Sequence, residues 1–351
     1  MALLQNLEEE REMHLLDRLS TLLPGKKIYF IYTHNNHRDR FRYGLKANTE
    51  ISYFSLSALK RRFPRVIFLR LQGEKESRIA SINSKDVVIG HVGETFLRAS
   101  ARTSRLIAFY PWSGHEDRSV NTLFNCLPLS EEKVYWERAA SIILLTSEYN
   151  VREYIEKQSN FWYPYYRQMR LNKPIHVVHQ PLDLSCFPRI KWEYTTSDFL
   201  YVGNDAHMKC LPDSQRLVES LNRRLSLYGV GEKRLDNLDK TQVERLAREA
   251  DFFIQPGMWE GQCVALLEAA ARGFIPVVSP QTGYPYDHPF LLRHDDFAYN
   301  QKILQALLKT DPDERRALAD HLHKQLREDP AHNSWENLTD LLVSEVARLR
   351  C

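Results

Sequence analysis

Two carboxylates, Glu260 and Glu268, stand with seven residues between them in the segment DFFIQPGMWEGQCVALLEAAARGFIPVVSPQTG, residues 251–283. The first residues read as an apolar strand, Pro256-Gly257 as a turn, and a helix is expected from about Gly261. Eight residues advance an α-helix by roughly 800°, about 80° past two full turns, so the two carboxylates need not share a face. Glu260 precedes the regular helix, and its side chain is therefore able to lean over the helix mouth. The N–H groups of Gly261, Gln262 and Cys263 would form an anion site there, helped by the helix dipole. A carboxylate beside such a site is unfavourable unless it accepts protons from hydroxyls, and sugar and ribose hydroxyls are such donors.

The elements that must position these groups follow an α/β plan. In the front half, apolar strands are expected at KIYFIY (27–32), VIFLRL (66–71), DVVIGHV (86–92), RLIAFY (105–110), ASIILLTS (140–147) and PIHVVHQ (174–180), with helical stretches between them. An amphipathic helix is expected at 4–23, and another after Ser147. The back half repeats the plan with strands DFLYVG (198–203), LSLYGVG (225–231), DFFIQP (251–256) and IPVVSP (275–280), helices at 214–224 and 241–250, and three closing helical stretches from Asn300. Apolar strands without polar alternation, each followed by a helix, imply parallel sheets covered on both faces. Two Rossmann-like domains are expected at 1–190 and 191–335, with a hinge near 188–197. The C-terminal helix, 336–351, is a candidate to pack back on the N-terminal domain.

Charge divides along the same line. Of 48 Lys and Arg and 45 Asp and Glu, the first 188 residues hold 27 basic and 20 acidic, a formal +7, and the remainder carries −4. A hydrophobic fraction of 43% excludes a disordered chain, and no apolar run approaches the roughly 20 residues of a membrane span. The first residues carry acids where a signal peptide carries a basic start. Cys126, Cys186, Cys210, Cys263 and Cys351 are scattered and odd in number, which points to reduced thiols and a cytoplasmic protein, with the cytoplasmic membrane face as a candidate peripheral location.

In the setting P-x-x-WEG-(x)6-EA-x-A-x-G-x-IPVV, Glu260 and Glu268 resemble the E-x7-E segment of retaining glycosyltransferases of the GT-B fold, glycosyltransferase family 4 in particular. DFLYVGNDAHMKC resembles the strand and phosphate loop of that family, and SPQTGYP the loop after its signature. LLTSEYNVREYI and VVHQPLDLSCFP resemble the last helix and exit loop of its N-terminal domain. The resemblance implies two Rossmann-like domains facing a central cleft and a nucleotide-sugar donor held by the back domain without metal or other cofactor. It implies that Glu260 bonds the donor sugar, that Glu268 bonds the ribose, and that the amides of Gly261, Gln262 and Cys263 hold donor groups. Lys209 would neutralise the diphosphate, with Gly203, Asn204 and His207 in the same loop. Many members place a histidine at an N-domain strand end, which makes His91, in IGHVGE, and His115 the catalytic candidates; open α/β sheets bind ligands at such ends.

Three departures stand out. The loop after the first strand, THNNHRDRFRYG, holds a single glycine, Gly44. Asn204 stands where many members carry arginine, and Cys210 follows Lys209 where glycine is usual. Phosphate binding is then open to His207 or to Arg38, Arg40 and Arg42. His176 and His179, three apart on a strand, face opposite ways and make a poor metal pair. Asp311-Pro312-Asp313 reads as a helix cap, not a metal site. The aromatic-basic loop at 160–173 is a candidate for buried packing between domains, acceptor binding or lipid contact. The acceptor is expected to be a sugar, lipid-linked or other molecule, with the basic half facing an anionic acceptor or membrane. The alternatives are a non-transferring nucleotide-sugar enzyme of the same fold, such as an epimerase, and a non-catalytic nucleic-acid-binding protein. The absence of any RNP or KH motif disfavours nucleic acid as a partner.

Overall fold

The computed structural model describes residues 26–32, 40–41, 54–55, 66–70, 73–91, 94–110, 137–145, 172–179, 187–203, 209–228, 240–258, 263–329 and 334–349, with 14, 17–19, 21–22 and 134. The helix expected after Ser147 and nearly all of the aromatic-basic loop lie outside these residues, as does most of the expected helix at 4–23.

Each apolar run that is described forms a strand. In chain order these are β1 (Ile28–Tyr32), a two-residue pair β2 (Arg40–Phe41) and β3 (Phe54–Ser55), then β4 (Val66–Arg70), β5 (Val87–His91), β6 (Leu106–Tyr110), β7 (Ser141–Leu145) and β8 (Ile175–Val178). Helix α1 (Glu76–Ala80) links β4 to β5, and α2 (Glu94–Ser100) links β5 to β6. Six strands form a parallel sheet in the order β4-β1-β5-β6-β7-β8. The chain moves outward from β1 to β4, then returns across β1 to lay down β5. The order therefore reverses between β1 and β5. Gly90, next to last in β5, has φ +156°, and a Cβ there would stand 2.6 Å from the Cβ and carbonyl oxygen of Ile31. Glycine is required for that close approach.

The second sheet repeats the plan with four parallel strands: β9 (Phe199–Val202), β10 (Leu225–Tyr228), β11 (Phe252–Gln255) and β12 (Ile275–Val278), in the order β10-β9-β11-β12. Helices α3 (Leu211–Ser220), α4 (Lys240–Glu249) and α5 (Val264–Ala271) connect successive strands. Helices α6 (Phe297–Lys309), α7 (Pro312–Glu328) and α8 (Ser334–Arg348) follow. Every residue of β9, β11 and β12 is buried, which explains their unbroken apolar sequence. Phe252, Phe253 and Ile254 each contribute about 1.5–3 kcal/mol by burial.

The chain divides into two compact units, the second holding Asp183–His332 and the first holding β1 to β8 together with α8. Helix α8 packs on β8. Glu345 lies 3.1 Å from His176 Nε2 and 2.7 Å from Arg348. Burial pushes its carboxyl up, but hydrogen bonds from His176, Arg348 and Ser141 outweigh that and hold it at about 2. No helix among the described residues is long and apolar enough to cross a membrane.

Residues 188–197 belong to the second unit and are bonded to its body. The amides of Ile190 and Lys191 both donate to the Arg272 carbonyl, and Tyr194 donates its hydroxyl to Gly273 O at 2.6 Å. Asp251, fully buried at the entry to β11, closes the attachment. It lies 2.6 Å from Lys191 Nζ and 3.4 Å from Arg315, and accepts from the Thr196 hydroxyl and the Ser197 amide. Arg315 donates further to Ser197 Oγ and Leu308 O. The segment is bound because its lysine is the counter-charge of a buried carboxylate.

The helix cap expected at Asp311-Pro312-Asp313 is a capping box. Asp311 accepts from the amides of Asp313 and Glu314, and the Glu314 side chain accepts from the Asp311 amide.

Removing the shared carboxylate leaves two buried cations without their partner. Asp251→Ala is therefore expected to lower the stability of the second unit by about 3–5 kcal/mol, read from urea unfolding. A loss below about 1 kcal/mol would show that the cluster does not anchor β11.

Candidate functional site

Adjacent strands whose connections run in opposite directions leave a crevice at their carboxyl ends. In the second sheet that place lies between β9 and β11, and both adjoining segments are the ones singled out by sequence. After β9 comes Gly203, with φ +156° and its amide donating to Tyr228 O. Lys209 folds back over it: a Cβ on Gly203 would stand 3.2 Å from Lys209 Cδ and 3.5 Å from Nζ. Glycine and lysine, six positions apart in sequence, are thus in contact. Asn204 and His207 lie outside the described residues.

Cys210 explains its own oddity. It adopts φ 51°, ψ 46°, the left-handed conformation that favours glycine, and it leads directly into α3, whose second residue is Pro212. Helix α3 therefore begins at Leu211, three residues before the sequence expectation, with Ser214 donating its amide and hydroxyl to Cys210 O. The sulfur is buried, 4.0 Å from His294 Nδ1, and burial pushes the thiol up to about 12. It fills space as a neutral group.

On the other side, β11 ends at the buried Gln255. Its carbonyl accepts from the Ser279 amide, and its side chain accepts from Cys263 Sγ at 3.3 Å. Ser279 Oγ donates to Gly257 O. Thr282 donates its hydroxyl to Ser279 O at 2.7 Å and accepts the Cys263 amide on its carbonyl at 2.9 Å. Both flanks of residues 259–262 are thereby tied to the loop after β12. Glu260, Gly261 and Gln262 lie among those four, outside the described residues.

Helix α5 starts at Val264, later than the expected Gly261, and Cys263 is its N-cap. The Cys263 amide donates to Thr282 O, so the first-turn donors of the helix are those of residues 264–266. Leu266, Leu267, Ala269, Ala270 and Ala271 are all buried. Ala265, Glu268 and Arg272 keep partial exposure and lie along one stripe at i, i+3 and i+7. Glu268 retains 21% side-chain exposure and pairs with Arg272 at 3.4 Å. Burial nonetheless raises its carboxyl above the ordinary range, with Arg272 offsetting only part.

Sequence reasoning missed the Ser279-Thr282 tie and the Arg272 partner. Arg272 had a signal in its i+4 spacing from Glu268; the tie had none beyond the Ser-Pro-x-Thr-Gly turn. In the first unit, His91 ends β5 opposite Phe109, at the carboxyl end of a strand that borders the other order reversal. Its side chain and the whole of His115 lie outside the described residues. Among the described residues no three His, Cys, Asp or Glu side chains are grouped to hold a metal ion.

No protein-family model matches the chain, and no curated protein does. Solved structures do. Sucrose-phosphate synthase from Thermosynechococcus elongatus superposes with a TM-score of 0.56 at 14% identity, covering 96% of this chain and 92% of that one. A trehalose-6-phosphate protein from E. coli bound with UDP-2-fluoro glucose gives 0.53 at 11% identity, covering 94% of each. TarM gives 0.51 at 13% identity over 75% of this chain, which spans about half the length of that protein, 55%. The fold these share is GT-B, with two Rossmann-like domains.

The raised Glu268 carboxyl carries a stability consequence. A carboxyl whose folded pKa lies above its unfolded value costs nothing while both states are protonated. It destabilises the fold as pH rises through the interval between the two values. Glu268→Gln is therefore expected to equal wild type in Tm at about pH 4 and to exceed it by pH 7, at about 2–4 °C per kcal/mol relieved. A variant less stable than wild type at neutral pH would show that the Arg272 pair outweighs desolvation.

Proposed function

We propose that the protein is a retaining, metal-independent glycosyltransferase of the family 4 type. It takes a nucleotide-diphosphate sugar in the second unit and transfers the sugar to an acceptor served by the first. The observation that carries this reading is the order reversal between β9 and β11. The Gly203–Lys209 contact lies on one side of it, and the open stripe of α5 with Glu268 on the other. Fold neighbours add support: one is bound with UDP-2-fluoro glucose.

In this reading Glu268 accepts the ribose hydroxyls. A partly desolvated carboxylate held above its usual range is poised to gain from two such donors, because each replaces hydration it has already lost. Glu260 takes the same part for the donor sugar, with the amides of Gly261 and Gln262 beside it. Breaking the anomeric bond places negative charge on the departing diphosphate. Lys209, fixed against Gly203, meets that charge without reorganisation, and the α5 dipole adds to it. Departure and attack on one face retain configuration. Gly203, Asn204 and His207 complete the phosphate loop, and Cys263 supplies a rigid edge in place of its committed amide. His91 is the preferred acceptor-side group and His115 the second. No cofactor is required. The +7 of the front half suits an anionic or lipid-linked acceptor at the cytoplasmic membrane face.

A panel of UDP-, GDP- and ADP-sugars tests this. At 100 times Kd the matching donor should stabilise by about 2.7 kcal/mol, visible as a Tm rise. Glu268→Gln should weaken that donor by roughly 10- to 100-fold, the 1.5–3 kcal/mol of hydrogen bonds to a charged group. Binding to wild type should weaken as pH falls through the raised Glu268 pKa, above the ordinary carboxylate range. Lys209→Ala should lower kcat by about 10²–10³ with a smaller change in KM. Absence of any Tm response across the panel would overturn the proposal.

A further inference from the structure

At the opposite end of β11 the second unit carries a groove of about 490 Å³ lined by Ile190, Lys191, Trp192, Glu193, Thr195, Thr196, Ala247 and Arg248. Residues 251 to 255 separate it from the carboxyl ends of the strands by about 13 Å of extended chain, so it does not belong to the site described above. Trp192 is 59% exposed; among the described residues the other exposed large hydrophobic is Val134, at 39%. Leaving most of an indole in water forgoes a large hydrophobic gain, which makes such a residue an informative exception.

The indole sits on a rigid base. Its neighbours Ile190 and Lys191 are bonded through their amides to Arg272 O, and Lys191 Nζ is committed to Asp251 and to Ala247 O at 2.7 Å. Arg189 lies over the ring, 4.3 Å from its centroid, and holds the plane. Around it the groove presents hydrogen-bonding groups of mixed kind: the exposed Thr195 hydroxyl, the Glu193 carboxylate and the Arg248 guanidinium. Thr196 donates its hydroxyl to Asp251 at 3.0 Å and so offers its oxygen as an acceptor. The two exposed charges are of opposite sign. A strongly anionic or cationic ligand would meet repulsion from one of them, whereas a neutral polyhydroxylated ring would use both.

We propose that this groove is a second saccharide-binding site, in which a neutral pyranose stacks on Trp192 and its hydroxyls bond Glu193, Thr195 and Arg248. The volume lies within the range of small-ligand sites and suits one or two sugar rings. The site holds a glycan away from the order reversal, so its occupancy does not depend on the donor site.

The test is calorimetric titration of the full chain with maltotetraose, cellotetraose and chitotetraose. The expected result is saturable binding of at least one, weakened tenfold or more by Trp192→Ala and by Arg248→Gln. Trp192→Phe should retain most of the affinity, and Glu268→Gln should leave it unchanged. Arg248→Gln alters an exposed side chain, so its result stands even if Trp192→Ala fails to fold. No binding of any of the three, or equal binding by both loss variants, would overturn the proposal. Loss of binding in Glu268→Gln would do the same, by assigning the saccharide to the other site. A nucleotide-sugar response with no tetrasaccharide binding would leave the transferase reading standing and remove this one.

Discussion

The strand order of the second sheet depends on β11 staying where it is. The strand is wholly buried, lies between β9 and β12, and carries no polar group except at its ends. Those ends fix it. Asp251 takes Lys191 and Arg315 at the entry, and Gln255 takes Ser279 and Cys263 at the exit. A buried carboxylate is costly unless its cations and hydrogen bonds are all in place, so the clamp tolerates little slippage. With β11 held beside β9, their carboxyl ends must lie together, and the two loops leaving them must share one crevice.

In the proposed function the demands on that crevice are set by charge. The back half of the chain is net acidic, so a proposed anionic donor is held there by local devices and not by bulk attraction. Lys209 against Gly203 is one, and the first turn of α5 is another. The unusual Cys210 belongs to the same logic. The turn into α3 needs a left-handed residue, and a buried cysteine meets the need at some conformational cost while filling the gap beside His294. Glu268 is the converse case, a carboxyl whose ionised form burial disfavours, with Arg272 offsetting only part. Groups held against their own stability in this way are commonly those kept for a ligand.

Much of this was legible in the residues. The apolar runs from KIYFIY to IPVVSP form strands within three residues of the expected ends, because burial on both faces leaves little room for other sequence. Asp311-Pro312-Asp313 was readable as a cap for an equally local reason. The errors lie where tertiary partners decide. The start of α5 was placed at Gly261 because nothing in EGQC shows that Thr282, some twenty residues on, takes the Cys263 amide. The attachment of residues 188–197 is invisible for the same reason: the partners of Lys191 and Tyr194, Asp251 and Gly273, are distant in sequence. For the same reason the groove beside Trp192 left no trace in the sequence: it exists only once that segment is bound against the end of α4. The roles given to Glu260, His91 and His115 rest on sequence and on the topology around them.

The central claim is that a nucleotide sugar occupies the crevice between β9 and β11. Hydrogen exchange with and without the donor selected from the panel tests it most directly, because it reports position and not only affinity. The account predicts slowed exchange in peptides spanning residues 203–211 and 257–268, with residues 190–197 unchanged. Slowed exchange confined to other parts of the chain, with those two segments unaffected at saturating donor, would contradict it.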